Sequence, residues 1–334
     1  MIITEFEKVK SIFKQAEKDG WELPCICTEN QTTTEAILCA CSEYGKKIGR
    51  RIPIIIAITV KYSHRHQAIN YSYTNDWKTG LELFKGDIKA LASEGAPYED
   101  VDVLIHLDHV QFDDDLELIE SDLSDYSSIM YDASALPFEQ NIAKTAEFVK
   151  KMKGKIFIEG ACDEIVDATG TVHNALTTPE NAKRYIEQTG VDMIVANLGT
   201  EHRATGKELM YHGDLAREIK KEIGNTIVLH GTSSVSNEQV RSLFNDGVCK
   251  VNIWTALERD SSKPLFYDMV VNASKVAGEE IVDRLIAEGY LTEKCRTGDK
   301  ININFFTMRY RQEIIYNEMK KMVSDYLDMW YTAK

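Results

Sequence analysis

An α/β architecture, a (β/α)8 TIM barrel occupying residues 1–334 as one domain, is expected from three features of the chain. Short β-branched apolar runs alternate with longer segments of helical period, the pattern of repeated βα units and a parallel sheet. The runs number eight, and no Pro/Gly/Ser linker, charge block or low-complexity stretch divides them. Eight equivalent units fit a closed barrel better than an open sheet, because closure leaves no unpaired edge.

A helix from Glu5 to Glu17 is expected to precede the barrel, with Thr4 as N-cap and Glu7 completing a capping box. The strands are read at Leu23 to Thr28, Ile52 to Val60, Val101 to His106, Ser128 to Tyr131, Ile156 to Glu159, Met193 to Leu198, Thr226 to His230 and Lys250 to Ile253. Helical patterns between them run over Thr34 to Lys47, Thr79 to Ser93, Glu139 to Lys151, Pro179 to Gln188 and Ser236 to Asn245. Two carry start signals: Thr178 before Pro179, and Ser236 with Gln239 as a capping box. Leu257 to Asp299 is longer than a βα connection needs and reads as a helical insertion. A terminal helix from Arg309 to about Trp330 follows, its Ile, Tyr and Met on one face, free to pack on its own barrel or on a partner.

With 43% apolar and 28% charged residues the chain is a globular one. No apolar run reaches the roughly 18 residues of a membrane helix, and Met1 to Lys18 does not read as a signal peptide. The cytoplasm is the expected location. Seven cysteines, odd in number and without a Cys-x-x-Cys pair, point to reduced buried thiols. A net charge of -14 disfavours nucleic acid and anionic membranes as partners. Any phosphate must therefore be held by a local site.

Polar residues just past the C-terminal ends of barrel strands converge on one mouth. His109 follows the third strand, His202 the sixth, and His230 ends the seventh. Taken singly, each fits an ordinary rim histidine; together, three imidazoles suit a catalytic zinc with a fourth position open to substrate. Asp108 precedes one of them and fits either a general acid/base or a cap for a helix beginning near Asp113, while His106 reads as structural. The turns Gly231-Thr232-Ser233-Ser234 and Asn252-Ile253-Trp254-Thr255 fit a phosphate cradle or plain βα turns.

At these residues the sequence resembles the class II, zinc-dependent ketose-bisphosphate aldolases that act on fructose and tagatose bisphosphates. The ordered landmarks are His106-Leu107-Asp108-His109, Ser128 to Ser134 with Leu136 to Ile142, Gly199-Thr200-Glu201-His202, Leu229 to Ser233, and Gly247 to Asn252. The resemblance implies zinc on His109, His202 and His230, and Asp108 handling the proton on the hydroxyl beside the bond that breaks. It further implies phosphate contacts from Gly199, Gly231, Ser233 and Thr255, with Thr232 in the same turn, often beside a monovalent cation. Asn252 falls at the ketone portion, and Asp132 and Glu159 at auxiliary positions near the metal. The expected reaction is reversible aldol cleavage of a phosphorylated ketose to a dihydroxyacetone phosphate-like ketone and an aldehyde, in a homodimer or homotetramer.

The chain departs from the pattern in several places. Arg203 stands where the family has glycine, and Arg203 is expected to read a different anionic end of the substrate or, failing that, to form a rim salt bridge. The family's Glu-x-Glu is here Glu159-Gly160-Ala161, and Cys27 replaces an asparagine. Arg309 and Arg311 are loose candidates for a far-phosphate arginine, and Asp163, Glu164 and Asp167 for the base on the ketone fragment. Two other classes compete: a zinc hydrolase, for which the only His-x-His, His64-Arg65-His66, lies in a polar stretch after the second strand, and a metal-binding barrel without catalysis.

Overall fold

The structure is a computed structural model that describes residues 1–63, 65–163, 176–200, 211–232, 235, 237–241 and 243–331. Eight parallel strands close into a barrel in chain order: β1 (Leu23–Cys27), β2 (Pro53–Thr59), β3 (Asp102–Gln111), β4 (Ser128–Asp132), β5 (Phe157–Ala161), β6 (Met193–Val195), β7 (Ile227–Leu229) and β8 (Val248–Ile253). β8 returns to β1 with Cys25 opposite Asn252, so no edge is left. Ile, Val and Leu dominate the buried strand positions, as strands covered on both faces require.

The outer ring consists of α1 (Phe6–Asp19), α2 (Gln31–Ile48), α3 (Gln67–Asn70), α4 (Trp77–Ala92), α5 (Leu116–Ile119), α6 (Phe138–Met152), α7 (Pro179–Thr189), α8 (Gly213–Ile223) and α9 (Asn237–Val240). Thr178 caps α7 as expected, its hydroxyl accepting from Asn181 N at 3.1 Å with Pro179 in the first turn. After β8 come α10 (Thr255–Val271), α11 (Ala273–Ala277), α12 (Glu279–Ala287) and α13 (Ile303–Phe306), then the terminal α14 (Met308–Trp330). α14 lies on α2 and α10 of its own barrel. No described helix is long and apolar enough to cross a membrane.

Three boundaries differ from the sequence expectation, each for a tertiary cause. α1 starts at Phe6 with Glu5 as N-cap and no side-chain cap, because Ile3 N donates to Val103 O at 2.9 Å and holds the approaching chain extended along β3. The helix expected over Ser236 to Asn245 is only the short α9, followed by a 3-10 turn at Leu243–Asp246. Continuation would need Phe244 N on Val240 O. Trp330 Nε1 takes that carbonyl at 3.0 Å, and Glu22 Oε1 accepts from Phe244 N at 2.5 Å. Ser236 of the expected capping box lies outside the described residues.

The third difference matters most for the site. β3 does not stop at His106 but runs to Gln111 across a register shift between Leu107 and Val110. His109 in that bulge has φ 48°, a left-handed conformation costly for a residue with a Cβ.

The loop after β2 is fixed from below by a close helix approach. In α4, a Cβ on Gly80 would sit 1.7 Å from the carbonyl oxygen of Ala68 in α3. Gly80→Ala is therefore expected to lower the unfolding free energy by more than about 2 kcal/mol through overpacking, although alanine is the better helix former by about 1 kcal/mol. Urea unfolding checks this, and equal or raised stability would refute the close approach.

Candidate metal and substrate site

The bulge in β3 turns two consecutive side chains into one pocket, where regular alternation would send them to opposite faces. Asp108 and His109 there meet His230 from just past β7, their ligand atoms lying within 4.8 Å of one another and all buried. Tyr62, from the loop after β2, stacks flat on the His109 ring at 4.2 Å between centroids.

Carboxylates behind both imidazoles set their tautomers. His109 Nδ1 lies 2.9 Å from Asp132 Oδ2, and His230 Nε2 lies 3.2 Å from Glu159 Oε1. A carboxylate only accepts, so each of those nitrogens carries the proton, leaving lone pairs on His109 Nε2 and His230 Nδ1. These two atoms face each other at 3.2 Å. Two lone pairs at that distance require a proton or a cation between them. The N–N edge of a tetrahedral site with Zn–N bonds of 2.0–2.1 Å is about 3.3–3.4 Å, so the pair fits a zinc ion without rearrangement. Asp132 and Glu159 thus stand behind the two imidazoles and orient them. Burial is the main cause holding the His230 pKa down at about 4, which keeps its imidazole neutral and able to ligate.

Beneath the histidines lies a polar layer inside the barrel that the strand pattern did not reveal. Lys250 Nζ donates to Glu159 Oε2 at 2.6 Å and to His106 Nε2 at 3.3 Å, and His106 Nδ1 in turn donates to Ser128 Oγ at 2.8 Å. Lys250, Glu159 and His106 are wholly buried. Burial by itself would raise the Glu159 pKa, but Lys250 first and then His230 hold it at about 2. His106 is structural, as expected, although it sits within the barrel and not at a strand end.

Asp108 caps no helix. Asn252 Nδ2 donates to its Oδ1 at 3.0 Å, while Arg65 Nη2 donates to Oδ2 at 2.8 Å and Cys27 Sγ lies 3.4 Å from the same oxygen. Burial opposes ionisation, but interaction with the His109 ring foremost, then with the His106 and His230 rings and the Arg65 guanidinium, holds its carboxyl well below the usual range. Asp108 is therefore a carboxylate at neutral pH. Arg65 went unnoticed as a site residue because its stretch reads as polar loop; nothing local announces that it folds back over Asp108.

The remaining expected contacts divide. Gly231, in a left-handed turn at φ 70°, and Thr255, in the first turn of α10, line one pocket with Arg65, His230, Asn252 and Trp254. Trp254 provides no side-chain cap to α10, so the first-turn amides remain available to an anion. The Thr232 hydroxyl donates to Asn252 O at 2.6 Å, lacing the β7 and β8 turns together, so a phosphate contact from this residue would fall to its backbone amide. Gly199 lies past β6, its amide donating to Asn197 Oδ1 at 3.1 Å. Asp163 accepts from Thr177 Oγ1 at 2.7 Å. Arg309 does not line this pocket; it lines a separate cleft with Gln31, Glu35 and Tyr316. His202, Arg203, Ser233, Glu164 and Asp167 lie outside the described residues.

Comparison with known proteins points one way. The model of the class-II fructose-bisphosphate aldolase family matches residues 7–332. A fructose-bisphosphate aldolase of Streptococcus pyogenes is 27% identical over 313 residues, spanning 91% of this chain and 98% of the relative. Among solved structures, the fructose-bisphosphate aldolase of Campylobacter jejuni superposes with a TM-score of 0.75 at 18% identity, covering 98% of this chain and 95% of its own. The YdjI aldolase of Escherichia coli gives 0.67 at 17% identity, covering 99% and 97%.

Removing one member of the Lys250–Glu159 pair strands a buried charge. Glu159→Gln and Lys250→Met are each expected to cost about 3–5 kcal/mol, and the double variant less than the sum of the two. Asp132→Asn, which leaves that pair intact, is expected to weaken zinc binding by about 10- to 100-fold in a chelator competition. Additive losses in the cycle, or unchanged zinc affinity in Asp132→Asn, would contradict the arrangement.

Proposed function

This chain belongs to the class II fructose-bisphosphate aldolase family, and from that premise we propose a zinc-dependent lyase whose metal is held by His109, His230 and His202 and whose proton-transfer group is Asp108. Family membership carries the reaction class, reversible aldol cleavage of a phosphorylated ketose. The observation that supports the site is the pair of carboxylate-backed imidazoles facing each other at 3.2 Å beside Asp108.

Zinc bound there supplies a Lewis acid that polarises the ketone oxygen and stabilises the negative charge left on the three-carbon fragment. In the cleavage direction Asp108, already ionised, accepts the proton of the hydroxyl on the carbon adjoining the scissile bond. That carbon becomes the aldehyde as its bond pair passes to the ketone fragment. Asn252 fixes the Asp108 carboxylate from one side and lines the pocket where the ketone portion sits. The Gly231 turn and the start of α10 at Thr255 hold the phosphate through backbone amides, and the family resemblance assigns Gly199, Ser233 and a monovalent cation to the same role. Assembly as a homodimer or homotetramer is part of the same proposal. The exposed rings of Phe266, Tyr267 and Tyr290 on the α10–α12 extension are the surface expected to be covered, and sedimentation of a monomer would exclude it.

Purified protein is expected to hold about one zinc per chain by metal analysis, consistent with a single three-histidine site. It should cleave at least one ketose phosphate in a retro-aldol assay. Asp108→Ala should retain the zinc and lower kcat by about 100- to 10,000-fold. Zinc without carbon–carbon cleavage across ketose mono- and bisphosphates would favour the non-catalytic metal-binding barrel, and absence of zinc would refute the metal site itself.

A further inference from the structure

Among the described residues, Arg65 is the one lysine or arginine that lines the mouth pocket. Its position is built and not incidental. Arg65 N donates to Tyr62 O at 2.8 Å, and its carbonyl accepts from Thr59 Oγ1 at the end of β2. The wholly buried Gln67 accepts from Thr59 N at 3.0 Å and closes the turn. The side chain, 11% exposed, crosses the mouth to Asp108 Oδ2 with its guanidinium 5.2 Å from the Trp254 ring centroid.

This ion pair leaves the pocket incompletely satisfied. Arg65 Nε, Trp254 Nε1 and Asn252 Oδ1 are buried polar atoms without a hydrogen-bond partner. Stranded buried groups cost about 1–3 kcal/mol each, and a fold keeps several together where a ligand completes them. Two donors around a cation and one amide acceptor match an anionic oxygen group with a hydroxyl close by. They do not match an uncharged carbon chain.

We propose that Arg65 is the specificity-determining residue of this site, paired with Asp108 until an anionic group on the aldehyde portion of the substrate takes over its guanidinium. The inference rests on the aldolase reading for the identity of the ligand, but anion capture by Arg65 is measurable without turnover. For a charged ligand the exchange trades one carboxylate for another anion at little net cost, and Asp108 Oδ2 becomes free to receive the hydroxyl proton. An uncharged ligand either leaves Arg65 on Asp108 or strands a buried cation. Phosphate and carboxylate both satisfy the guanidinium fork, so the shared requirement is the anion.

The experiment uses the zinc-loaded full chain as wild type, Arg65→Gln and Arg65→Lys. Three substrates are compared by kcat/KM: fructose 1,6-bisphosphate, fructose 1-phosphate, whose tail is uncharged, and a ketose 1-phosphate ending in a carboxylate. Wild type is expected to prefer a charged tail by about 10- to 100-fold, the worth of a charged hydrogen bond. Arg65→Gln should collapse that ratio by losing on the charged substrates and gaining on the uncharged one, with Arg65→Lys intermediate because it keeps the charge but not the fork. The charged tail that suffers most identifies phosphate or carboxylate as the source. In parallel, calorimetry with 3-phosphoglycerate, glycerate and glycerol should show an anion preference in wild type that Arg65→Gln loses, or that Arg65→Lys reduces should the glutamine variant not fold. An equal loss on all three substrates, or an anion preference that survives in both variants, overturns the proposal. Anion binding through Arg65 without cleavage of any ketose phosphate would sink the aldolase reading and leave the Arg65 assignment standing.

Discussion

The site hangs on one buried carboxylate. Glu159, at no solvent exposure, gives one oxygen to Lys250 at 2.6 Å and the other to His230 at 3.2 Å. The first contact neutralises a lysine that the barrel interior could not otherwise hold. The second fixes which His230 nitrogen keeps its proton and so which one points at His109. His106 and Ser128 extend the same network across β3 and β4. A polar layer in the middle of a barrel is costly unless each member is satisfied, and here it also aims an imidazole of the candidate metal site.

Upon that layer the backbone adds a local distortion. A strand alternates its side chains, so adjacent residues such as Asp108 and His109 would normally diverge. The bulge with His109 at φ 48° brings both into one pocket, and the Tyr62 ring, the Asp132 carboxylate and the paired strands on either side hold it there. Strain of this kind persists only where its surroundings over-determine it. The site therefore draws on the rigidity of the whole sheet, while the loops after β2, β7 and β8 line the candidate pocket.

Much of the architecture was legible from the chain. Val-, Ile- and Leu-rich runs such as Ile52 to Val60 are the signature of strands buried on both faces, and Thr178-Pro179 marks a helix start by local geometry alone. The reach of β3 was not legible, because a bulge depends on its partner strand and leaves no mark in hydrophobic period. The early end of α9 was equally hidden, since Trp330, 90 residues away, takes the carbonyl the helix would have used.

The same division runs through the chemistry. Histidines at 109 and 230 and an aspartate at 108 stand out by residue type near the C-terminal ends of strands, since strand order in a barrel fixes which ends share a mouth. Tautomers, ion pairs and unpaired atoms belong to no segment. Lys250 looked like an ordinary position in β8 and Arg65 like a loop cation, yet one props Glu159 and the other covers Asp108. Local propensity and period are functions of neighbours along the chain; the partners of a buried charge are set by distances in space, and those exist only once the barrel has closed.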